Sequence, residues 1–308
     1  MQEKIGKVTL DYEFYPGEDL YSDGSVEEEL LEIARNYKDE ELNSVIAERN
    51  SWPVLYHFSH IRQNILEWLP IKKTDKVLEI GSGCGPITGV LAKKAGSVTC
   101  IDLSKMRSTI NAYRNQECDN VKILVGNFQD IEASLTEKYD YITLIGVFEY
   151  SEGYIGTQEP YVEMLRRIAG HLAEGGKLVI AIENRLGLKY WAGCTEDHTG
   201  KYFEGLENYP NTKGVRTFSR KELQGLINRA GDFKTTFYYP YPDYKFPMTI
   251  YSDKRLPQKG ELKDNSCNFD RPRLQLFNEA RVYDSLVDAG LFSEFSNSFL
   301  VLVERKDG

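Results

Sequence analysis

The chain has 308 residues, of which 41% are apolar and 28% charged, close to the average of globular proteins, so global disorder and fibrous repeats are excluded. The formal net charge is −9, and residues 1–50 alone carry 14 acidic and 5 basic side chains. Acidic and basic residues balance over the rest of the chain, which therefore lacks the basic footprint of proteins that bind nucleic acids or anionic membranes. We expect no nucleic-acid partner.

Apolar stretches and cysteines restrict the class of protein further. The longest apolar stretches, 142–148 and 178–182, are far shorter than the roughly 20 residues that a membrane-spanning helix requires, and the first residues show no apolar signal core. The five cysteines are odd in number and show no CxxC spacing: Cys84, Cys100, Cys118, Cys194 and Cys267. We expect reduced thiols in a cytoplasmic protein with no membrane span, no disulfide framework and no metal site.

The first seventy residues read as helical and predict an N-terminal lid or support over residues 1–70. Ser25 and Glu28 have the spacing of a capping box before a helix, and a second helix is predicted over 40–49. A third predicted helix, 54–69, carries an apolar stripe at helical spacing, formed by Leu55, Phe58, Ile61, Ile65 and Trp68.

From Asp75 the pattern changes to strands that alternate with helices. The predicted strands cover 76–80, 97–102, 121–126, 139–146, 176–183, 232–241 and 298–305. A second capping box, Ser219 with Glu222, opens the helix before the sixth strand. Because parallel neighbours need crossover connections, this alternation predicts an α/β domain with a parallel sheet. We expect one domain over 71–308, with insertions at about 184–218 and 244–295.

A glycine-rich loop follows the first of these strands, in the segment VLEIGSGCGP (residues 77–86). Glycines between a strand and a helix allow a tight turn and let a ligand approach the main chain. Asp102 ends the next strand, where its carboxylate can accept hydrogen bonds from both hydroxyls of a ribose. A dinucleotide cradle usually has the spacing GxGxxG, whereas this chain has proline at the sixth position.

The pattern E-x-G-x-G-x-G followed by an acid resembles motifs I and II of class I S-adenosylmethionine-dependent methyltransferases. Three further segments, GNF (126–128), GVFEY (146–150) and LAEGGKLVIAIEN (172–184), are similar to later parts of that family. The resemblance implies a Rossmann-like mixed seven-stranded sheet, mostly parallel with the last strand antiparallel, and S-adenosylmethionine as the cofactor, with S-adenosylhomocysteine as the product. The cofactor residues that it implies are Glu79, Gly81, Ser82, Gly83, Gly85, Asp102, Leu103, Met106, Asn127, Phe128 and Gly146.

Some of these roles have an alternative. Leu103 and Met106 either pack on the adenine or belong to the core. Arg62, in the third predicted helix, either meets the methionine carboxylate or lies on a solvated helix face. A nicotinamide-dependent oxidoreductase and a non-catalytic S-adenosylmethionine-binding or partner-docking module are the competing functions.

We expect the residues that contact the methyl acceptor in the insertion after the fifth strand, because open α/β sheets bind ligands at the carboxyl ends of their strands. His198 is the candidate general base on a hydroxyl, with Asp197 or Glu183 orienting it. Alternatively His198 caps a surface turn. A phosphate acceptor would need no base, and Arg185 and Lys189 would then position the anion. His171 reads as structural, and the aromatic segment 237–251 forms either a flat binding wall or ordinary packing.

The segments AIENRLGLKYWAG, EDHTG and YPYPDYKFP also resemble the methyltransferase part of bacterial polysaccharide-associated proteins, in some of which a kinase-like domain follows. This resemblance implies methyl transfer to an oxygen of a glycan or another small hydroxylated or phosphorylated acceptor. The expected partners are that acceptor and a kinase or glycosyltransferase domain or protein of the same pathway.

Overall fold

The computed structural model describes residues 1–19, 24–265 and 273–306, so Cys267 lies outside the described residues. The strands are β1 (Gln2–Ile5), β2 (Val8–Asp11), β3 (Lys76–Ile80), β4 (Ser97–Asp102), β5 (Val121–Val125), β6 (Tyr139–Ile145), β7 (Leu172–Glu183), β8 (Phe233–Tyr241), β9 (Thr249–Ser252) and β10 (Ser298–Arg305). The α-helices are α1 (Val26–Asn36), α2 (Leu42–Arg49), α3 (Trp52–Phe58), α4 (Asn64–Glu67), α5 (Thr88–Lys94), α6 (Lys105–Arg114), α7 (Phe128–Glu132), α8 (Ser151–Tyr154), α9 (Pro160–Gly170), α10 (Leu188–Trp191), α11 (Arg220–Ala230), α12 (Glu279–Asp288) and α13 (Phe292–Phe295).

The strand order in the sheet is β1-β2-β5-β4-β3-β6-β7-β10-β8-β9. The pairs β2–β5, β5–β4, β4–β3 and β3–β6 are parallel, whereas β10 is antiparallel to β8. The predicted Rossmann-like mixed sheet with an antiparallel last strand is confirmed. All seven predicted strands are present, and the sequence analysis missed β1, β2 and β9.

Residues Met1–Leu144 and Arg167–Leu178 form the first of two compact units. The helical prediction for the first seventy residues is wrong at its start, where β1 and β2 pair as an antiparallel hairpin and β2 joins β5. Val8 and Leu10 are fully buried and alternate with a partly buried threonine, which is the period of a strand and not of a helix.

Two further helical details also differ from the prediction. Ser25 makes no side-chain cap hydrogen bond at the start of α1, so the first capping box is absent. The third predicted helix is broken at Ser59, whose backbone is extended, and it becomes α3, a 3₁₀ turn over His60–Gln63, and α4. The predicted apolar stripe is therefore interrupted, and Trp68 is 42% exposed.

The N-terminal helices pack against α6 and the glycine loop. Their shared apolar cluster buries residues from α1, α2 and α3 together with Cys84 and Ile110. Glu27 of α1 forms an ion pair with Arg107 of α6 at 2.8 Å between Oε1 and Nε, with the Glu27 side chain only 3% exposed. The N-terminal helices therefore support the glycine loop through this shared apolar cluster. Their role as a lid stays a prediction.

Residues Ile145–Arg166 and Val179–Gly308 form the second unit. The first predicted insertion contains α10, and the second contains β9, α12 and α13. The predicted capping box of Ser219 and Glu222 is confirmed, since each side chain accepts the other's backbone amide. The aromatic segment 237–251 packs into the core, because Phe237, Tyr239 and Tyr244 are each at most 2% exposed.

Candidate active site

The glycine loop after β3 has backbone angles that only glycine adopts readily. Gly81, Gly83 and Gly85 have φ values of 71°, 52° and 75°. A Cβ atom added at Gly83 would meet no heavy atom within 4 Å, whereas one at Gly85 would lie 2.3 Å from Oδ1 of Asn111. Gly85 is thus required for packing on α6, and Gly83 leaves open space beside the main chain.

Asp102 lies against this loop. Its Oδ2 accepts a hydrogen bond from the Gly83 amide at 2.7 Å, and its Oδ1 accepts one from the Ser104 amide at 3.0 Å. Burial raises the pKa of Asp102, and these two amides oppose the rise. A carboxylate has about four acceptor positions, so both oxygens can still accept hydroxyl groups.

The N-terminal segment covers the strand ends beside Asp102. Asp19 accepts hydrogen bonds from the Ser104 hydroxyl at 2.9 Å and from the Lys105 and Met106 amides at 2.6 and 3.1 Å. A Cβ atom at Gly126, after β5, would lie 2.6 Å from the carbonyl oxygen of Phe14. Asp19 was not predicted, because an aspartate so distant in the chain carries no local signal for this contact.

The remaining cofactor candidates of the first unit differ in their surroundings. Asn127 caps α7 by accepting the Gln129 amide at 3.0 Å, and Phe128 is 2% exposed. Leu103 and Met106 are partly buried, and Met106 packs against the apolar cluster of the N-terminal helices. Ser82 is buried within the loop.

Glu79 points into the core of the first unit. It is 4% exposed and accepts hydrogen bonds from the Thr88 hydroxyl at 2.6 Å and the Cys100 thiol at 3.4 Å. Burial raises its pKa to about 7, and the hydrogen bonds from Thr88 and Cys100 counteract only part of this rise. These contacts give Glu79 a structural role beneath the loop.

Arg62 is 3% exposed and does not lie on a solvated helix face, which removes that alternative. Its guanidinium stacks 4.1 Å from the centre of the Tyr56 ring. Burial lowers the pKa of the neighbouring His57 well below its usual value, and the charges of Arg107, Arg62 and Arg114 add to the effect. Arg107 is already paired with Glu27, so the positive charge that favours an anion in this part of the first unit comes from Arg62 and Arg114.

The residues of the first unit have the chemical groups that a nucleoside cofactor requires. Gly83 leaves the loop open, the Asp102 carboxylate is fixed beside it, and basic groups surround His57. Gly146 belongs to the second unit, where a Cβ atom added to it would lie 2.7 Å from the Tyr244 hydroxyl.

His198, in the second unit, is enclosed by three glutamates. Its Nδ1 lies 2.9 Å from Oε1 of Glu196, and its Nε2 lies 3.5 Å from Oε1 of Glu149 and 3.8 Å from Oε2 of Glu183. The imidazole is only 9% exposed, so the interpretation as a surface-loop histidine is wrong. We call Glu149, Glu183, Glu196 and His198 the carboxylate–histidine cluster.

Glu196 takes the orienting position that the sequence analysis gave to Asp197 or Glu183. Its Oε2 accepts the backbone amides of His198 and Thr199 at 2.9 and 2.7 Å, and its Oε1 also accepts the Tyr209 hydroxyl at 3.2 Å. Tyr209 is 7% exposed and has a φ of 57°, a left-handed conformation that is unfavourable for tyrosine. Such strain is characteristic of functional sites, where surrounding contacts maintain it.

Lysines connect the cluster to two aspartates. Lys245 lies 2.6 Å from Glu183 and 2.9 Å from Asp197, and Lys189 lies 2.8 Å from both Asp197 and Asp243. Burial disfavours the charged form of Asp197, but the two lysines lower its pKa well below the usual range. Asp197 is therefore a permanent anion that holds the lysines.

The electrostatic balance acts on His198 itself. Burial lowers its pKa, but the charge of Glu183 and the contacts with Glu149 and Glu196 outweigh burial and raise the pKa well above its usual value. Burial also raises the pKa of Glu149. In this arrangement the imidazole holds a proton at neutral pH, so its action as a base requires a change in the charge that surrounds it.

His198, Asp197 and Glu183 were predicted from the sequence, whereas Glu149, Glu196 and Lys245 were not. Glu196 had a local signal, because it lies two residues before His198 in EDHTG. Glu149 and Lys245 lie in the segments GVFEY and YPYPDYKFP, which were singled out for other reasons.

Two residues predicted to position an anion are already paired. Arg185 forms two hydrogen bonds with Glu222, at 2.7 and 3.1 Å, and Lys189 is held by its aspartates.

His171, predicted to be structural, contacts Glu132 in the first unit at 2.7 Å. Over the described residues, no helix combines the length and the apolar character needed to cross a membrane.

Comparison with known proteins gives three further findings. A family model described as a methyltransferase domain matches residues 55–232. Ribosomal RNA small subunit methyltransferase A of Borreliella afzelii is 36% identical over 84 residues, covering 27% of this chain and 30% of that protein. An uncharacterized methyltransferase of Staphylococcus carnosus is 26% identical over 206 residues, covering 66% of this chain and 89% of that protein.

Among solved structures, a SAM-dependent methyltransferase from Archaeoglobus fulgidus aligns with a TM-score of 0.48 at 13% identity, covering 81% of this chain and 96% of that chain. The match covers less than a third of the length of the ribosomal RNA methyltransferases to which the chain is similar.

Proposed function

Because this chain belongs to the methyltransferase-domain family and uses S-adenosylmethionine as its cofactor, we propose that it transfers a methyl group to an oxygen atom of a hydroxylated acceptor. The observation that carries the proposal is the buried carboxylate–histidine cluster, which offers several hydrogen-bond acceptors for a hydroxyl group. Family membership removes the nicotinamide-dependent oxidoreductase as a competing function.

All the cofactor residues in this proposal except Gly146 belong to the first unit. Gly81, Gly83 and Gly85 shape the loop, Asp102 binds the ribose hydroxyls, and Arg62 binds the methionine carboxylate. When bound, S-adenosylmethionine supplies an electrophilic methyl group on a sulfonium whose thioether leaves without a proton. The remaining proposed cofactor residues are Ser82, Leu103, Met106, Asn127, Phe128 and Gly146.

The second unit supplies the acceptor residues. The hydroxyl group must lose its proton as the oxygen is methylated, and the cluster contains the groups that can take it. Most of the catalytic effect then comes from holding the acceptor oxygen in the reactive orientation. His198 is the central residue, with Glu196 orienting the ring and Glu183 and Asp197 holding the charge around it.

Charge favours a neutral acceptor over a phosphorylated one. Among the described residues, ion pairs join five carboxylates through His198 and two lysines, Lys189 and Lys245; the carboxylates are those of Glu149, Glu183, Glu196, Asp197 and Asp243. A phosphate placed beside these groups would be repelled, and Arg185 is already bound to Glu222. We therefore propose that a phosphorylated acceptor is excluded.

Exposed aromatic rings in the same insertion support a glycan as the acceptor. Trp191, Tyr202 and Phe203 are 45%, 46% and 44% exposed, although aromatic side chains typically bury about 150–250 Å² each. Flat exposed rings suit the apolar faces of sugars. A kinase or glycosyltransferase of the same pathway remains the proposed partner.

Ribosomal RNA is the competing acceptor, because it is the substrate that the relatives' names give. Binding of RNA needs positive potential along the phosphate backbone, whereas this chain has a net charge of −9. The alternative would be favoured if the protein bound RNA with a steep dependence on salt concentration.

The test uses S-adenosylmethionine with a ¹³C-labelled methyl group, incubated with glycan and RNA fractions. The carbon chemical shift of the product distinguishes an O-methyl from an N-methyl group. We expect His198→Ala to lower turnover at least about 100-fold while calorimetry gives an unchanged affinity for the cofactor. Labelled nitrogen, labelled RNA or unchanged turnover in His198→Ala would each overturn the proposal.

A further inference from the structure

We infer that Glu149, Glu183 and His198 form a binding site for one divalent first-row transition-metal ion. Nε2 of His198 lies 3.5 Å from Oε1 of Glu149 and 3.8 Å from Oε2 of Glu183. All three ligand atoms lie within 4.8 Å of one another. A tetrahedral ion with bonds of about 2.0–2.1 Å separates its ligands by about 3.3–3.4 Å, so the side chains must rotate inward when the ion binds.

The orientation of the imidazole fits a metal ligand. Nδ1 faces Glu196 at 2.9 Å, which places a proton on Nδ1 and directs Nε2 toward the other two carboxylates. A carboxylate on the far nitrogen of a histidine is the usual outer partner of metal-bound imidazole, because it fixes the ring and increases its basicity. With the ion bound, the metal takes the place of the proton that His198 otherwise holds on Nε2 and lies between the ring and the two carboxylates.

Buried oxygens without hydrogen bonds give an independent indication. Glu149 and Glu183 are 1% and 0% exposed, and Oε2 of each has no hydrogen-bond partner among the described residues. Leaving a buried carboxylate oxygen without a donor is costly, so native proteins usually fill such positions with a donor or an ion. Oε2 of Glu183 is the ligand oxygen named above, and Oε2 of Glu149 is the second oxygen of the other ligand carboxylate.

Lys245 is the residue that competes with an ion. Its Nζ lies 2.6 Å from Oε1 of Glu183, so only Oε2 of that side chain remains for a metal. Lys245 and Lys189 leave five connected carboxylates with an excess negative charge of three when His198 is neutral. A divalent ion offsets most of this charge, whereas a proton on Nε2 offsets a third of it.

The ligand types select among ions. One imidazole nitrogen and two carboxylate oxygens suit Mn²⁺, Fe²⁺ or Zn²⁺ better than Ca²⁺ or Mg²⁺, which prefer oxygen alone. Three protein ligands leave at least one position for a further oxygen ligand. This role rests on the proposed function but replaces His198 as the proton acceptor, because Nε2 would be bound to the ion. An acceptor hydroxyl on the ion would lose its proton to water, and the electron pair would stay on the oxygen.

The test measures binding of Mn²⁺ to the whole chain without cofactor or acceptor, by loss of the electron paramagnetic resonance signal of the free ion. Mn²⁺ is chosen because it binds thiolates poorly and so avoids the cysteines. We expect one tight equivalent in the wild type and at least 10-fold weaker binding in Glu149→Gln and His198→Gln. Glu196→Gln should weaken binding about 10- to 100-fold through the orientation of the ring.

His171→Gln is the matched control, because His171 also pairs with a glutamate, Glu132, at 2.7 Å. It should bind Mn²⁺ like the wild type, and circular dichroism should show that all variants are folded. Absence of a tight equivalent in the wild type, or equal binding by the folded Glu149→Gln variant, overturns the inference. Because neither cofactor nor acceptor is present, this failure is distinct from a failure to methylate oxygen.

Discussion

Glu79 gives the sharpest prediction of pH-dependent stability. Its pKa is raised by burial from 4.5 to about 7, so the folded protein holds a proton between these values that the unfolded chain has lost. The stabilisation is complete below the unfolded pKa and is lost as the pH rises through the folded pKa. Between pH 5.5 and pH 8.5 the free energy of unfolding should fall by about 2 kcal/mol through this group, since one pKa unit corresponds to about 1.4 kcal/mol.

The measurement is urea unfolding of the wild type and Glu79→Gln at pH 5.5 and pH 8.5. Glutamine keeps the shape and stays neutral, so the variant should lose this part of the pH dependence and be the more stable protein at pH 8.5. Glu117→Gln is the control, because the Glu117 side chain is 85% exposed. The reasoning is refuted if Glu79→Gln retains the whole wild-type fall in stability, or if the Glu117 variant loses it equally.

Four further predictions concern the glycine loop, Asp102 beside it and one helix. Asp102→Ala should weaken binding of S-adenosylmethionine about 100-fold by calorimetry, since charged hydrogen bonds contribute about 1.5–3 kcal/mol each, and an unchanged affinity would contradict the ribose assignment. Gly85→Ala should destabilise the protein by about 2–4 kcal/mol in urea unfolding, because its Cβ would lie 2.3 Å from Asn111 Oδ1. Gly83 has open space beside it and a φ of 52°, so Gly83→Ala should lower the free energy of unfolding by only about 1–2 kcal/mol. The same substitution should weaken cofactor binding at least about 10-fold. Equal effects of Gly83→Ala and Gly85→Ala on cofactor binding would argue against a ligand at Gly83. Gly225→Ala, inside α11 with nothing within 4 Å, should stabilise the fold by about 1 kcal/mol, and a lower melting temperature would count against this.

Much of the fold was predictable because its signals are local. The glycine loop, the seven alternating strands and the Ser219–Glu222 capping box each depend on residues close together in sequence. The hairpin of β1 and β2 was missed because two four-residue strands give a weak period of two. The break at Ser59 was missed because the apolar spacing continues through it.

The candidate site was predictable only in part. Histidine and the flanking acids of EDHTG drew attention to His198, but its burial depends on segments that are distant in sequence. Lys245 contacts Asp197 across 48 residues, and its role depends on the fold that brings the two together. An ionic network of this kind follows from tertiary packing, for which a single sequence has no pattern.

Cys84 packs the glycine loop against the N-terminal helices, so its reactivity reports whether α1–α3 have separated from the loop. Burial raises the pKa of its thiol to about 12, so the thiolate that reacts with alkylating reagents is almost absent in the closed protein. Cys118 is partly exposed and should react first. The rate at which iodoacetamide modifies Cys84 would therefore measure how often α1–α3 separate from the loop.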